Sequence, residues 1–464
     1  MNRIFTAFFS LLSLTVAAQD HSSFNRRLDI EPLSVLQVDL SVKTEPAHSR
    51  AFARLCFYDS ADRKLIEYKS ESLSGGTFTK TGFYTEAPPD SKYAVISVDP
   101  DSGSAAALAV ERFKTESEPA DLSKKHAPLC DLDQYMRPFW KSDTIYNETV
   151  LLFSKNGKAA KGRLLYIPSE ILSVKSFDLK TSYSKKTDYL INGRTISRRN
   201  NSKMPFKADT AFDTKNDLAW FNLQSQWIVV TYIHKDRWEG PVPAFKGEML
   251  PLTYGKLKAK SPLRIVAYGM SITRGLDVSG YDGVAPYMPA YADLFARALG
   301  KIYGDDQISM YNAGLPGALV SWGSEYADQY INPLKPDMVI IDFGMNDFWR
   351  YSPEEFSGYI ETIIRKVRAG NPDAEFLLLS NMKFDPDYVL DSDKHKTFYQ
   401  DNMTGYARVL QEMEKTGIVN LDMTTLSSII YSRKKAKDCI ANPLHPNDYL
   451  ARWYAQGMAA LFQR

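Results

Sequence analysis

A short apolar run that ends at a glycine, within Leu263 to Gly275 (LRIVAYGMSITRG), constrains this chain more than any other stretch. A buried strand of a parallel sheet has this composition, and the glycine marks a sharp turn into the next element. Ser271 is therefore predicted at the carboxyl end of a strand, where open α/β sheets place their ligand crevice. A serine at such a turn is, taken alone, more often a helix cap than a nucleophile.

The sequence after Gly275 alternates between apolar runs and amphipathic stretches. Ser352, Pro353 and Glu355 form a capping box that begins the clearest helix, and a last helix begins near Asp448. This alternation predicts a parallel sheet with helices on both faces, so the loops that follow the strands converge near Ser271. The predicted strands lie near 263–268, 308–312, 337–343, 374–380 and 418–421.

Three of these loops carry residues suited to acyl transfer. YNAGLPG places Gly314 where a backbone N–H can approach a ligand, and DFGMNDFW places the Asn346 amide at the sheet edge. NPLHPND places His445 just before the final helix. A serine, a histidine and two or three hydrogen-bond donors supply a nucleophile, its base and an oxyanion hole.

These four blocks, in this order, resemble the SGNH or GDSL hydrolases over residues 263–464. The resemblance implies an α/β domain with a flavodoxin-like three-layer fold and ester hydrolysis without a metal or organic cofactor. By position, Ser271 is similar to the family's nucleophile and His445 to its general base. The N–H groups of Ser271 and Gly314 and the Asn346 side chain are similar to its oxyanion hole.

The chain departs from that family at two positions. Met270 replaces an aspartate before the serine, and we expect local repacking there. Asn442 stands three residues before His445, where an aspartate that orients the base is expected. An asparagine carbonyl can accept the imidazole N–H but supplies no charge. We therefore expect a Ser-His dyad first. The alternatives are that a backbone carbonyl or Asp438 takes the place of the missing aspartate, or that the activity is weak.

The amino-terminal half has the period-two alternation of antiparallel β structure. Residues 21–115 are predicted to form a sandwich-like domain, either a carbohydrate-binding module or, slightly favoured, a structural appendage. Residues 116–260 are predicted to form a second β-rich domain, with hairpin turns at Asn156-Gly157 and Asn192-Gly193, and residues 261–464 the hydrolase domain. Trp220, Trp227 and Trp238 fit a sugar site or, better, the core of the second domain.

Residues 1–20 have the basic start, apolar run and small residues of a secretory signal peptide, and no later segment is apolar enough to cross a membrane. We expect a periplasmic or secreted protein. A net charge of +2 without a basic cluster argues against nucleic acid as a partner. The scattered cysteines, Cys56, Cys130 and Cys439, allow one disulfide but neither a disulfide framework nor a metal site.

The prediction is an exported serine esterase that removes acetyl groups from polysaccharide or oligosaccharide, with an acylated carbohydrate as its partner. Two alternatives stay open: a glycan-binding protein with a degenerate esterase domain, and a sugar O-acyltransferase.

Overall fold

The computed structural model describes residues 24–30, 35–47, 49–69, 73, 77, 79–87, 91–100, 105–116, 127–208, 223–304, 307–385 and 393–464. The predicted signal peptide and Trp220 lie outside these ranges. The chain divides into two compact units, Met1–Ala120 and Asp121–Arg464. None of the described helices is both long and apolar enough to cross a bilayer. The predicted division at residue 260 lies inside the second unit and stays a prediction.

The first unit contains antiparallel sheets, as the period-two alternation predicts. One sheet has the strand order β1-β6-β3-β4 and the other β5-β2-β7. Alternate residues of β2, β3 and β6, such as Leu40, Leu55 and Ile96, are buried, so each of these strands turns one face inward. The strands are β1 (Phe24–Asp29), β2 (Val35–Glu45), β3 (Ala51–Tyr58), β4 (Lys64–Lys69), β5 (Thr79–Glu86), β6 (Tyr93–Pro100) and β7 (Ala105–Glu116).

The second unit begins with a β-rich segment. Its sheets have the orders β12-β13-β10-β9-β14 and β11-β15-β8. Both predicted hairpins form: Asn156 and Gly157 have positive φ angles, whereas in the second turn Asn192 ends β12 and Gly193 supplies the positive φ. The elements are α1 (Leu132–Tyr135), β8 (Thr144–Leu151), β9 (Phe153–Ser154), β10 (Lys161–Arg163), β11 (Pro168–Ser176), β12 (Tyr189–Asn192), β13 (Thr195–Arg198), β14 (Lys207–Ala208) and β15 (Trp227–His234).

A parallel sheet with interleaved helices follows, and each strand predicted in this half is present. The strand order is β17-β16-β18-β19-β20, which in chain order is the 2-1-3-4-5 arrangement of flavodoxin-like folds. The strands are β16 (Leu263–Gly269), β17 (Ile308–Gly314), β18 (Met338–Asp342), β19 (Glu375–Ser380) and β20 (Ile418–Asp422), followed by the hairpin strands β21 (Ile440–Asn442) and β22 (His445–Pro446). The helices are α2 (Pro251–Ala259), α3 (Ser271–Arg274), α4 (Tyr291–Tyr303), α5 (Val320–Ile331), α6 (Pro353–Gly370), α7 (Asp393–Glu412), α8 (Met423–Arg433) and α9 (Asp448–Ala460).

Local sequence explains the best-defined helix of this domain. The Ser352 side chain accepts the Glu355 N–H, and Glu355 accepts the Ser352 N–H, which is the capping box that the sequence predicts. The apolar stripe of α6, which includes Phe356, Ile360 and Val367, is buried. Because all five sheet strands run parallel, the loops after them meet at one edge of the sheet.

Candidate active site

Ser271 is the first residue of α3, directly after the turn that ends β16. A Cβ on Gly269 would lie 2.1 Å from Thr273 Oγ1 and 2.2 Å from the Asp342 carbonyl oxygen, so this turn requires glycine. As a first-turn group, the Ser271 N–H has no acceptor within its own helix. The turn therefore presents, together at the sheet edge, a hydroxyl and a backbone N–H that has no acceptor within its helix.

A buried network holds this turn from beneath. Thr273 Oγ1 accepts the Met270 N–H at 2.9 Å and donates to Asp342 at 2.8 Å. Asp342 also accepts the Tyr291 hydroxyl and the Asn381 amide, each at 2.6 Å. Burial raises the pKa of Asp342 to about 6, although these donors oppose the shift. The Met270 side chain is fully buried, and its sulfur lies 3.7 Å from Asn346 Nδ2.

His445 lies beside the serine, on the short hairpin formed by β21 and β22. Its Nε2 is 2.8 Å from Ser271 Oγ, although 174 positions separate the two residues. The imidazole is 15% exposed. A ring nitrogen at hydrogen-bond distance from a serine hydroxyl is the geometry that a general base requires.

The third member of the constellation is Asp277, which the sequence analysis missed. Its Oδ2 makes a short contact with His445 Nδ1, on the side of the ring opposite the serine. Asp277 follows Ser271 by six positions and has a positive φ of 65°. The sequence does place an acidic residue shortly after the glycine that ends α3, and this could have suggested a catalytic acid. Asp is equally common in such loops because it forms turns, so the position alone did not identify it. The carboxylate therefore comes from the nucleophile's loop, not from the histidine's.

Asn442 contacts both of these groups, but its amide is turned away from the orientation expected for an acceptor. Its Oδ1 accepts the backbone N–H groups of Leu444 (2.8 Å) and His445 (3.0 Å), which fixes Nδ2 toward Asp277. Nδ2 is also 2.8 Å from His445 Nδ1. When Nδ1 carries its proton, both nitrogens donate to the same carboxylate. Asp438, the other alternative, instead accepts the Leu151 N–H at 2.7 Å.

The candidate oxyanion donors lie on loops that contact the serine turn at Met270 and Arg274. Asn346 Nδ2 donates to the Ala318 carbonyl at 3.0 Å, which orients the amide beside Met270. Gly314 packs against the serine turn: a Cβ there would lie 2.6 Å from Arg274 N, so only glycine fits. Its own N–H, however, donates to Asn312 Oδ1 at 3.0 Å.

A β-turn follows Gly314 in the same loop. Ala318 N–H donates to the Leu315 carbonyl at 3.1 Å, and Gly317 has a φ of 78°, so Pro316-Gly317 occupies the central positions of a type II turn. The Gly317 N–H makes no hydrogen bond to any residue that the structure describes. It is a second candidate donor on this loop.

Asp347 links the loop that carries Asn346 to the start of α5. Its carboxylate accepts the Val320 N–H at 2.8 Å and the Gly344 N–H at 2.9 Å, and the residue is fully buried. Burial raises the pKa of Asp347 to about 7, against the effect of these two donors. The contacts fix Asn346, the preceding residue, relative to the start of α5.

The remaining candidates occupy structural positions. Trp227 is fully buried and is a core aromatic, whereas Trp238 is half-buried and packs edge-on against the ring of Phe139. The cysteines Cys56, Cys130 and Cys439 are free thiols. Among the described residues, no group of three or more His, Cys, Asp or Glu side chains is arranged to hold a metal ion.

A hydroxyl, an imidazole and a carboxylate in line at the carboxyl edge of a parallel sheet form the arrangement used by serine hydrolases. Residues 267–452 match the GDSL-like Lipase/Acylhydrolase family, so the carboxyl-terminal region of this chain is similar to the domains of that family. No curated protein matches the chain.

Solved structures resemble part of the chain. LAE5, an alpha/beta hydrolase from the metagenome of Lake Arreo in Spain, is 19% identical, with a TM-score of 0.33 over 43% of this chain and 96% of its own. A two-domain esterase, CEX, active on acetylated mannans, is 24% identical, with a TM-score of 0.35 over 45% of this chain and 52% of its own. Axe2, an acetylxylan esterase from Geobacillus stearothermophilus, is 16% identical, with a TM-score of 0.33 over 43% of this chain and 94% of its own.

Proposed function

We propose that this chain is an exported serine esterase that removes acetyl groups from polysaccharide or oligosaccharide. The observation that carries the proposal is the 2.8 Å separation between His445 Nε2 and Ser271 Oγ, with Asp277 on the far side of the ring. These three groups support proton transfer from the alcohol at the moment of attack. The ester specificity and the carbohydrate substrate belong to the proposal.

In the proposed reaction, Ser271 Oγ attacks the acyl carbon while His445 Nε2 takes the hydroxyl proton. The carbonyl π electrons move to oxygen, which receives hydrogen bonds from the Ser271 N–H and from Asn346 Nδ2. Collapse of this intermediate expels the sugar alkoxide, which takes the proton from His445. Water then attacks the acyl-serine with the same base and releases the carboxylic acid. Asp277 holds Nδ1 protonated, which leaves Nε2 free to accept.

The third oxyanion donor in the proposal comes from the loop of Gly314 and Gly317. Gly314 N–H already donates to Asn312, so it serves only if that bond is exchanged for one to the oxyanion. The Gly317 N–H needs no exchange, because none of the described residues accepts it. Both are retained as donors in the proposal, and the amide of Gly317 is favoured on this ground.

An aromatic surface beside the oxyanion hole supports a carbohydrate substrate. Residues 344–351 form helical turns, in which Phe348 N–H donates to the Gly344 carbonyl and Tyr351 N–H to the Asp347 carbonyl. Residues three apart on such a turn share a face, so Trp349 lies on the same side as Asn346. Trp349 is 39% exposed, so part of its ring is open to solvent. A planar aromatic face fits the apolar face of a sugar ring.

Export and domain division are parts of the proposal that rest on sequence alone. Residues 1–20 fit a signal peptide, and residues 21–115, 116–260 and 261–464 are the proposed domains of the mature chain. In this arrangement the protein meets its substrate in the periplasm or outside the cell.

The first test is hydrolysis of p-nitrophenyl acetate by the wild-type chain and by Ser271→Ala. We expect the variant to lose nearly all of the wild-type activity, since the nucleophile is gone and only the residual catalysis of water attack by the oxyanion donors remains. Acetate release from acetylated xylan, acetylated mannan and acetylated host glycans then identifies the acceptor class. Equal rates from the wild-type chain and the variant would overturn the esterase and favour a glycan-binding protein. Transfer of acetyl to an added sugar, in preference to water, would indicate an acyltransferase.

A further inference from the structure

The β-rich segment makes several buried polar contacts with the stretch that carries His445. We call the antiparallel sheet of β8, β11 and β15 the supporting sheet, and Lys434–Asn447 the histidine segment. Lys434 Nζ lies 2.5 Å from Glu148 Oε1 of β8, and both side chains are fully buried. Glu148 also accepts the Leu165 N–H at 2.8 Å and the Tyr232 hydroxyl at 2.6 Å. The carboxylate is thus satisfied by three donors, of which one is on the histidine segment.

The next residues of β8 hold the backbone of the histidine segment directly. The Thr149 hydroxyl donates to the Asp438 carbonyl, and the Leu151 N–H donates to Asp438 Oδ1 at 2.7 Å. Asn447, two residues after the histidine, donates from Nδ2 to Thr149 Oγ1 at 3.1 Å and to the Asp438 carbonyl at 3.0 Å. Thr149 is therefore hydrogen-bonded to both ends of the stretch that contains His445.

Apolar packing adds a third attachment. Ala441, on the strand that precedes His445, belongs to a buried cluster with Leu151, Trp227 and Val229 of the supporting sheet. The Trp227 indole N–H donates to the Lys437 carbonyl at 3.0 Å. A large buried ring that also makes a hydrogen bond leaves its neighbours little freedom to shift.

The histidine hairpin needs this external support, since it is too short to hold its own position. β21 and β22 have three and two residues, and Asn442 pairs with His445 across an irregular register. A two-stranded hairpin is marginally stable in water even when it is longer. The buried ion pair between Lys434 and Glu148 is costly to form, and Glu148 is what keeps the Lys434 ammonium group in its position.

We propose that the supporting sheet is a working part of the active site, and that Thr149 and Glu148 are positioning residues that hold His445 in line with Ser271. This inference deepens the proposed function and rests on it. It gives the second β-rich segment a role other than glycan binding: without the sheet, the imidazole would not keep hydrogen-bond contact with the hydroxyl.

The test compares two threonines of the supporting sheet. Thr149→Val removes the hydroxyl that bonds the histidine segment. Thr231→Val is the matched control, because the Thr231 hydroxyl is also buried but bonds Asn147 within the sheet, at 3.0 Å. Thr149→Ser is the conservative variant that restores the hydroxyl. Each protein is assayed with p-nitrophenyl acetate well below its own Tm, so that unfolding does not enter the rate.

We expect Thr149→Val to lower kcat by about tenfold or more with little change in KM, because small displacements of a reacting group are costly in rate. Thr231→Val should keep wild-type kcat even where it loses as much Tm, and Thr149→Ser should recover most of the activity. Equal kcat values for the two valine variants would overturn the inference. Glu148→Gln should lower both kcat and Tm, because it removes the nearer counter-charge of the buried lysine and leaves only Asp438, 3.9 Å away.

A second readout does not depend on turnover. The His445 Nδ1 proton, hydrogen-bonded to Asp277, should give a far-downfield proton NMR resonance that is absent in His445→Gln. Thr149→Val should shift or broaden this resonance, whereas Thr231→Val should leave it unchanged. An unchanged resonance in Thr149→Val would refute the positioning role even if the chain hydrolyses no ester. Failure of Ser271→Ala to lose activity, in contrast, refutes only the esterase.

Discussion

Replacing Asp277 by asparagine is the sharpest test of the catalytic arrangement. The aspartate accepts from His445 Nδ1 and from Asn442 Nδ2. An asparagine has one oxygen and one amide group to offer, and it carries no charge. If its amide faces the ring, Nδ1 must become an acceptor, so Nε2 carries the proton and cannot take the one on Ser271.

The size of the loss follows from this chemistry and from the exposure of the site. In serine proteases the same exchange lowers kcat by about 10⁴. The Asp277 side chain is 29% exposed, so water can replace part of the lost charge stabilisation. We therefore expect Asp277→Asn to lower kcat by about 10³, which corresponds to about 4 kcal/mol of transition-state stabilisation. KM should change little, because the carboxylate lies behind the imidazole and away from the bound ester.

The assay is the initial rate of p-nitrophenyl acetate hydrolysis, with Ser271→Ala as the baseline. Asp282→Asn is the matched control: it lies on the same loop, but its carboxylate accepts the Gln224 amide at 2.6 Å. Burial, together with the neighbouring Asp277, raises the pKa of Asp282 to about 6, so at neutral pH it is mostly ionised. Asp282 also accepts the Asp277 backbone N–H, so this variant removes a charge beside Asp277 but keeps the carboxylate that bonds the imidazole, and it should lose far less activity than Asp277→Asn. If Asp277→Asn kept more than about a tenth of wild-type activity, His445 would be working as a dyad, and the proposed role of Asp277 would be wrong.

Further variants test other parts of the site. Gly314→Ala should lower kcat by about 10²-fold or more, because its Cβ would displace Arg274 N, 2.6 Å away in the serine turn; Gly358→Ala, with nothing within 4 Å, should retain full activity. Trp349→Ala should raise KM for acetylated oligosaccharides by about tenfold, the loss of about 1.4 kcal/mol of stacking, while kcat/KM for p-nitrophenyl acetate stays unchanged; a proportional loss on both substrates would contradict a sugar-binding role. Burial raises the pKa of Asp448 to about 7, so the folded chain binds this proton more tightly than the unfolded chain, and the stability it contributes is lost as pH rises toward and through 7. Between about pH 5 and 8 the wild-type unfolding free energy, measured by urea denaturation, should fall by about 2–3 kcal/mol because of Asp448, and Asp448→Asn should lack this part of the fall. An unchanged dependence of the unfolding free energy on pH in the variant would refute this assignment.

The sequence predicted those parts of the fold that local patterns determine. The strands that end at Gly269 and Gly314 and the helix capped by Ser352 were each readable from apolar periodicity and from turn or cap residues. The parallel arrangement followed from the alternation of strands and helices. The convergence of the loops at one edge then followed from the arrangement itself, so the closeness of Ser271 and His445 was predictable without coordinates.

What the sequence could not supply depends on contacts between distant residues. Asp277 lies in a loop with no periodic pattern, and its approach to His445 is set by how two loops 168 positions apart fold over the same edge. The attachment of Thr149 to Asn447 joins residues 298 positions apart and leaves no pattern in either strand. An apolar strand pattern predicts that the strand is covered by other segments, but it does not identify those segments.

The position of the acid also explains why an asparagine stands at 442. With Asp277 already beside the imidazole, an aspartate at 442 would place a second carboxylate against the first, and like charges so close cannot both stay ionised without cost. An asparagine avoids this repulsion. Its oxygen caps the backbone N–H groups of Leu444 and His445, and its amide donates to Asp277. The residue that looks like the loss of a triad member is therefore the complement of an acid supplied from another loop, and it argues for a complete catalytic arrangement and against a decayed one.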